Sequence, residues 1–301
     1  MKKTLLALIA SSSLVAQYNF LLGDELDIST DIKIKKPVIK TVKPKAYYTF
    51  LPYVGMLDYS KNTTKDEGYV SGIYFSIFDS PFKTEIDIEQ TSISYTDTTS
   101  DLAQGDFSLL VHYYKGYNLD YKMGMHYIDS TDTQTDGGMI YTLGILYYKT
   151  LSYNYGLDIH YSDYSNLDTS PKILQFTPKV GFNFGNYYSF FGSFYAEAKY
   201  YYIQNLDTDN TYSSSSFELS NYNGKFTTTI GFWSGERIYA VDNGGFIVNN
   251  LSNKQTEGFK FSESYKINKI SSIKFEYSNT KFEESGEAES SLYLLSYSYS
   301  F

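Results

Sequence analysis

Apolar and polar residues alternate with a period of two from Tyr47 to the end of the chain. In the clearest stretch, residues 151–162, one face carries Leu151, Tyr153, Tyr155, Leu157, Ile159 and Tyr161, and the other carries Ser152, Asn154, Gly156, Asp158, His160 and Ser162. Residues 119–127 and 271–278 follow the same pattern. This alternation is typical of β-strands whose two faces meet different surroundings.

The pattern predicts an all-β chain of about fourteen strands, within a range of about 12 to 16. The predicted bounds are 47–59, 69–78, 82–95, 106–116, 118–128, 139–149, 151–163, 172–184, 188–203, 213–222, 225–235, 257–267, 270–282 and 289–301. The third strand changes phase between Ile88 and Ile93, which predicts a β-bulge there. The tenth is the weakest, because Ser213–Ser216 offers no apolar face.

The links between these strands alternate between short and long. The short ones are 79–81, 116–118, 149–151, 185–187, 223–224 and 268–269, and the links between them are longer and polar. Lysines lie at the short links, and aspartate and glutamate gather at the long ones. Short turns at one end and long loops at the other are typical of an antiparallel transmembrane up-and-down β-barrel, whose short turns face the periplasm.

Composition agrees with a membrane barrel. The chain has 34 Tyr, 21 Phe and 1 Trp among its 301 residues, too many aromatic residues for a disordered chain and enough for girdles at both membrane interfaces. It has no cysteine, which excludes a disulfide framework and a thiolate metal site. A net charge of −9 with a single arginine, Arg237, argues against a nucleic-acid partner.

The first 46 residues of the chain differ from the rest in composition and in hydrophobic pattern. Residues 1–16 combine Lys2 and Lys3 with an apolar stretch and a terminal Ala16, which predicts a secretory signal peptide. Residues 17–46 carry spaced lysines with Pro37 and Pro44, which predicts an extended periplasmic segment. The barrel is therefore expected to occupy residues 47–301.

The last strand carries a known signature. Tyr293, Leu295, Tyr297, Tyr299 and Phe301 share one face, and the chain ends on the phenylalanine. This resembles the C-terminal insertion signal of Gram-negative outer-membrane β-barrels of the porin-like kind. The resemblance implies insertion into outer-membrane lipid by the barrel-assembly machinery. It does not select a subfamily or a solute, because many functions share this architecture.

Strand parity identifies residues that should face the lumen. Eight-stranded barrels fill their interior and barrels of 16–18 strands leave a channel, so we expect about fourteen strands to leave a narrow polar passage for small solutes or ions. The predicted pore-lining residues are His126, Asp158, His160, Glu197, Lys199, Lys274 and Glu276. Parity also turns Tyr114, Tyr148, Phe191, Tyr195, Tyr201 and Trp233 inward.

The longest link, residues 236–256, has the pattern of a hairpin around an Asn-Gly turn. The sequence leaves two interpretations of this link open. In the first, the strands on either side of the link extend beyond the membrane. In the second, the link folds inward as a constriction that brings Glu236, Arg237 and Asp242 to the passage.

Other functions fit the residues less well. One alternative is a closed barrel with a structural or adhesive role through its outer loops. Another is an outer-membrane hydrolase, because His160-Tyr161-Ser162 has the His-x-Ser spacing of outer-membrane phospholipases, but here the pair lies on the polar face.

We expect no catalytic residue, metal site or cofactor, since His126 and His160 stand two strand spacings apart. A hydrophobic-substrate transporter needs an N-terminal plug, for which 17–46 is short. The oligomeric state stays open.

Overall fold

A computed structural model describes residues 46–60, 63–96, 100–116, 118–164, 171–249, 253–284 and 286–301. The predicted signal peptide and, apart from residue 46, the predicted periplasmic segment lie outside these ranges. Across the ranges described, fourteen antiparallel strands close into one barrel. In the same ranges, no helix has the length and apolar character needed to cross a membrane.

The barrel strands follow one another around the wall in chain order. They are β1 Tyr47–Tyr59, β2 Lys65–Asp79, β3 Phe82–Tyr95, β4 Leu102–Lys115, β5 Leu119–Ser130, β6 Met139–Lys149, β7 Tyr153–Asp163, β8 Lys172–Gly185, β9 Ser193–Asn205, β10 Thr211–Asn223, β11 Phe226–Arg237, β14 Lys254–Lys266, β15 Ser271–Glu283 and β16 Glu287–Ser300. Two short strands, β12 Val241–Asp242 and β13 Ile247–Val248, pair separately. The predicted up-and-down antiparallel barrel of fourteen strands is confirmed.

The barrel closes where the last strand meets the first. Tyr48 and Phe301 exchange backbone hydrogen bonds, N to O in both directions, at 3.0 Å. The pairing continues from Thr49↔Ser300 to Tyr59↔Ser290. A closed sheet pairs the backbone groups that an edge strand would leave open, which is the condition for strands to cross a hydrocarbon layer.

The outward face is apolar, and its aromatic residues collect near the ends of the strands. Val54, Met123 and Leu143 are exposed in its middle. Toward the short turns lie contacting aromatic pairs, which together we call the short-turn girdle: Tyr48–Phe301, Phe82–Tyr113, Tyr147–Tyr153, Phe184–Phe194 and Phe226–Tyr265. Aromatic rings in such a belt suit the boundary between hydrocarbon and headgroups.

The predicted bulge in β3 is wrong. β3 pairs without interruption with β2 from Asp79↔Phe82 to Gly68↔Ile93, and with β4 as far as Ile93↔Leu102. Ile93 is fully buried and faces the lumen, where it belongs to an apolar cluster with Leu57 and Val70. An apolar residue on the inner face therefore interrupts the apolar–polar alternation in the same way as a bulge would.

Large aromatic side chains lie flat across glycines on the inner wall. The Tyr53 ring crosses Gly72 of β2, and its hydroxyl lies within hydrogen-bond distance of carboxylate oxygens of Asp87 (3.0 Å) and Glu89 (2.8 Å) on β3. Tyr195 crosses Gly181 in the same way, and Trp233 crosses Gly258. Because glycine has no Cβ, the ring can lie against the neighbouring backbone and fill the lumen without pushing the strands apart.

This packing predicts that Gly72→Ala destabilises the barrel. The added Cβ would overlap the Tyr53 ring, so the ring must leave its two carboxylate partners. We expect the free energy of unfolding, measured by urea titration in lipid vesicles, to fall by about 1–3 kcal/mol.

Gly105→Ala is the matched control for this substitution. A Cβ at Gly105 of β4 would meet only Gln90 Oε1, at 3.9 Å. It should leave the unfolding free energy within about 0.5 kcal/mol of the parent value. Equal stability of the two variants would show that the ring does not depend on the glycine.

Candidate functional site

The link after β11 enters the barrel as a compact hairpin, which we call the inserted loop (residues 238–249). Val241 pairs with Val248, and the Asn249 N–H donates to Ala240 O at 2.7 Å. A short 3-10 turn, Asn243–Gly245, joins the two sides. Gly244 and Gly245 have φ of 68° and 103°, which glycine adopts without strain. The predicted Asn-Gly turn therefore lies at the tip of this loop.

The inserted loop spans the lumen from one wall to the opposite one. On β8, the Gln175 amide accepts from Val241 N (2.9 Å) and donates to Val241 O (2.6 Å). On the far side, the Phe246 ring meets the Tyr74 ring of β2 edge-on, with centroids 5.9 Å apart. Leu110 of β4 joins this contact. Since β2 and β8 lie almost opposite each other in the strand order, the loop crosses the passage.

Asp242 fixes the middle of the loop electrostatically. Its carboxylate accepts from Lys199 Nζ (3.0 Å) and from the Tyr201 hydroxyl (2.7 Å), both on β9. Burial acts to raise the pKa of this carboxyl, but Lys199 and Arg237 hold it well below its ordinary value. The loop therefore carries a partly buried anion that pairs with a cation on the wall.

Arg237 stays beside the loop and Glu236 does not. The Arg237 guanidinium lies between the rings of Tyr201 (4.0 Å) and Trp233 (4.2 Å), and its Nε donates to Ser214 at 2.7 Å. Glu236 sits on the rim with a half-exposed side chain and pairs with Lys254 at 2.9 Å. The neighbouring side chains of a strand alternate in direction, so only one of this pair can face inward.

Below the loop, toward the short turns, lies an open cavity of about 140 Å³. It is walled by β3 to β10 and roofed by Val241 to Gly244 and Phe246. Its ionisable lining residues are Lys83, Glu85, His112, Asp120, Lys122, Asp158, His160, Lys179, Glu197, Lys199, Glu218 and Asp242. The cavity wall thus carries charges of both signs, which suits polar or charged contents.

The charges of the cavity form ion pairs across neighbouring strands. Lys122 and Lys179 both contact Asp158, at 2.8 and 2.6 Å, and Gly144 leaves room for the Asp158 carboxylate above β6. His112 lies between two carboxylates, with Nε2 2.6 Å from Glu85. Its Nδ1 is 3.0 Å from Asp120. Both ring nitrogens of His112 therefore face carboxylate oxygens, which fix the ring between β3 and β5.

The outer half of the lumen, toward the long links, is packed with apolar side chains. One cluster joins Leu57, Ile93, Phe282 and Leu292 on one side of the barrel. A second joins Ile128, Ile140, Ile173 and Ile203 to Tyr239, Val241 and Val248 of the inserted loop. The loop is thus anchored by polar contacts below and by apolar packing above.

The predicted pore-lining residues divide into two groups. Asp158, His160, Glu197 and Lys199 line the cavity. His126 is buried in a separate network with Ser108 (2.7 Å) and Asp106 (3.0 Å). Lys274 and Glu276 pair with each other at 2.6 Å on β15. The structure does not bring these last three residues to the cavity wall.

Parity could have found further lining residues. Lys179 follows Gln175 and Thr177 at every second position of β8, and Glu85, Asp87 and Glu89 alternate with isoleucines on β3. The five residues of the predicted insertion signal, Tyr293, Leu295, Tyr297, Tyr299 and Phe301, are all exposed on the outer face.

The fold is shared with solved structures of very different sequence. The CymD monoaromatic hydrocarbon channel matches with a TM-score of 0.54 at 7% identity, over 86% of this chain and 89% of that one. The Ralstonia pickettii toluene transporter TbuX gives 0.52 at 12% identity, over 85% and 89%. The deltaS2S3 mutant of the TodX monoaromatic hydrocarbon channel gives 0.50 at 10% identity, over 85% and 90%.

The chain has the fold of these barrels. The resemblance to outer-membrane β-barrels is thereby confirmed at the level of the fold, without a subfamily. No family model matches the chain, and no curated protein matches it in sequence.

The paired hydrogen bonds of Gln175 predict how firmly the loop is held. Gln175→Leu removes both bonds and leaves the buried Val241 N–H and C=O without their partner, at a cost of about 1–3 kcal/mol. The Val241 amide should then exchange its hydrogen about tenfold faster or more, as measured by hydrogen–deuterium exchange.

Gln104→Leu controls for the loss of a buried glutamine. Gln104 is equally buried but bonds Asp106 on its own strand, away from the loop. Exchange at Val241 should not change in this variant. Unchanged exchange in Gln175→Leu would mean that apolar packing alone holds the loop.

Proposed function

We propose that the protein is an outer-membrane channel for the passive passage of small hydrophilic solutes or ions, with the inserted loop setting the size limit. The observation that carries this proposal is the charged cavity of about 140 Å³ below a loop that crosses the lumen. Charged walls inside a barrel replace part of the hydration of a polar solute during passage. No chemical step is needed for this role.

The surroundings of the barrel support a membrane setting. Its outer face exposes apolar side chains in the middle and aromatic pairs at the short-turn girdle. The lysines at the short turns suit anionic phospholipid headgroups, which supports a periplasmic orientation of that end. Export by the predicted signal peptide and insertion by the barrel-assembly machinery complete this proposal.

A barrel-borne hydrolase has little support from His160. Its Nδ1 contacts Thr142 Oγ1 at 2.9 Å, and the residue faces the cavity beside Asp158. A lipid-directed hydrolase needs its nucleophile and base on the outer face. His160 is instead a polar residue of the passage.

A second candidate is a passage for apolar solutes. The solved structures that share the fold include monoaromatic hydrocarbon channels, and the apolar clusters in the outer half of this lumen would suit such a molecule. The charged cavity below those clusters favours the polar solute instead, because burying an ion pair next to an apolar solute costs free energy.

The channel proposal predicts stepwise ionic conductance in planar bilayers. Asp242→Asn removes the charge that holds the loop to Lys199, so the loop should leave the passage more often. We expect larger or longer conductance steps than in the parent protein.

Glu236→Gln is the matched control, since it neutralises a carboxylate of the same link at the exposed rim. Its conductance should equal that of the parent protein. A purified, folded barrel that gives no conductance steps in either variant would contradict the channel.

The two candidate solutes can be separated by competition. If the lumen passes ions, saturating toluene should leave the conductance unchanged, because its charged wall has little affinity for an apolar ring. A saturable block by toluene, weakened by Leu292→Ser in the outer apolar cluster, would favour the apolar solute.

A further inference from the structure

An aromatic turn projects from the short-turn end of the barrel between β8 and β9. Residues 186–192 read Asn-Tyr-Tyr-Ser-Phe-Phe-Gly. Tyr188 is 93%, Phe190 88% and Phe191 70% exposed. The prediction that Phe191 faces the lumen is wrong, because β9 begins only at Ser193 and leaves this ring in the turn.

Side-chain hydrogen bonds show that the turn leans outward. Asn221 and Asn223 occupy the lipid-facing positions of β10, opposite the buried Ser220. The Asn221 amide donates to Phe191 O at 2.8 Å, and the Asn223 amide donates to Phe190 O at 3.1 Å. The backbone of the turn is therefore fastened over the outer side of the barrel end.

The turn is built rather than loosely extended. Ser189 N donates to Asn186 O at 2.9 Å, and Gly192 N donates to Ser189 O at 3.0 Å. Gly192 has φ of 74°, and a Cβ there would overlap Tyr222 O. The Phe190 and Phe191 rings meet edge-on, with centroids 5.2 Å apart. Three large rings are thus held at the surface by an ordered scaffold.

The rings continue the short-turn girdle. The stacked pair Phe184–Phe194, at 5.3 Å, lies on the strands that flank the turn. Beside it, Phe226 meets Tyr265, and the Lys225 ammonium stands 5.6 Å from the Tyr265 ring. The turn therefore extends the short-turn girdle with further rings, on the side of the girdle that faces away from the middle of the barrel.

We propose that this turn is a membrane anchor whose rings enter the phospholipid headgroup layer on the short-turn side of the barrel. The anchor rests on the proposed membrane setting. Aromatic rings are favoured at this depth, because their apolar faces leave water while their edges stay near polar groups. A lipid surface suits a convex turn with splayed rings, since lipid chains adapt to its shape.

Nitroxide labels on single cysteines test the anchor, because the chain contains no cysteine of its own. Phe190→Cys is labelled in vesicles of phosphatidylethanolamine and phosphatidylglycerol. Phe232→Cys, on the lipid face of β11, reports the membrane setting, and Lys269→Cys, in another short turn, reports water. The readout is the ratio of collisions with oxygen to collisions with an aqueous nickel chelate.

The anchor predicts a ratio at position 190 several-fold above that at 269 and closer to that at 232. A ratio at 190 equal to that at 269, with 232 in lipid, would overturn the anchor and leave the membrane barrel standing. Water-like ratios at all three positions would overturn the membrane setting and the anchor together. Spin–spin broadening at 190 alone would assign the turn to a contact between two copies and also overturn the anchor.

Discussion

The need to pair every backbone N–H and C=O inside a hydrocarbon layer governs this fold. A strand that crosses such a layer cannot leave an edge, so the sheet must return to its first strand. The backbone bonds between Tyr48 and Phe301 complete that return. Once the wall is closed, each strand has one face toward the outside and one toward the lumen, and the two-residue alternation of the sequence follows.

Closure creates a second demand, because a wall of fourteen strands encloses more space than its short inward side chains fill. Three devices meet this demand. Tyr53 and Tyr195 extend across glycines of the neighbouring strands. Lysines and carboxylates reach across one or two strands to pair, as Lys122 and Lys179 do on Asp158. The inserted loop then occupies the middle, with a cavity on its short-turn side.

The outer wall could be predicted from the sequence because lipid imposes the same chemistry on every outward position. The lumen imposes no such uniformity. Ile93 and Leu292 are apolar and point inward, so parity alone misplaced a bulge and missed the acidic row of β3. The prediction that Phe191 faces the lumen is wrong for another reason. An aromatic residue near the end of a strand can equally lie in the adjoining turn, where alternation does not apply. The path of the inserted loop depends on Gln175, which lies 66 residues from its partner Val241 in the sequence. The residues of the turn itself do not indicate this distant partner.

The contacts that hold the inserted loop across the lumen are few enough for the loop to detach at times. Four hydrogen bonds from Gln175 and Asp242 fasten it: the two from Gln175 are worth about 0.5–1.5 kcal/mol net each, and the two to the Asp242 carboxylate about 1.5–3 kcal/mol each. Together they amount to roughly 4–9 kcal/mol, so on polar contacts alone an open form would be present at about one part in a thousand to one in several million. Packing of Val241 and Phe246 lowers that share further. In the proposed channel, a loop held this way would exclude bulky solutes, and a charged solute that competes for Lys199 or Asp242 would weaken its attachment.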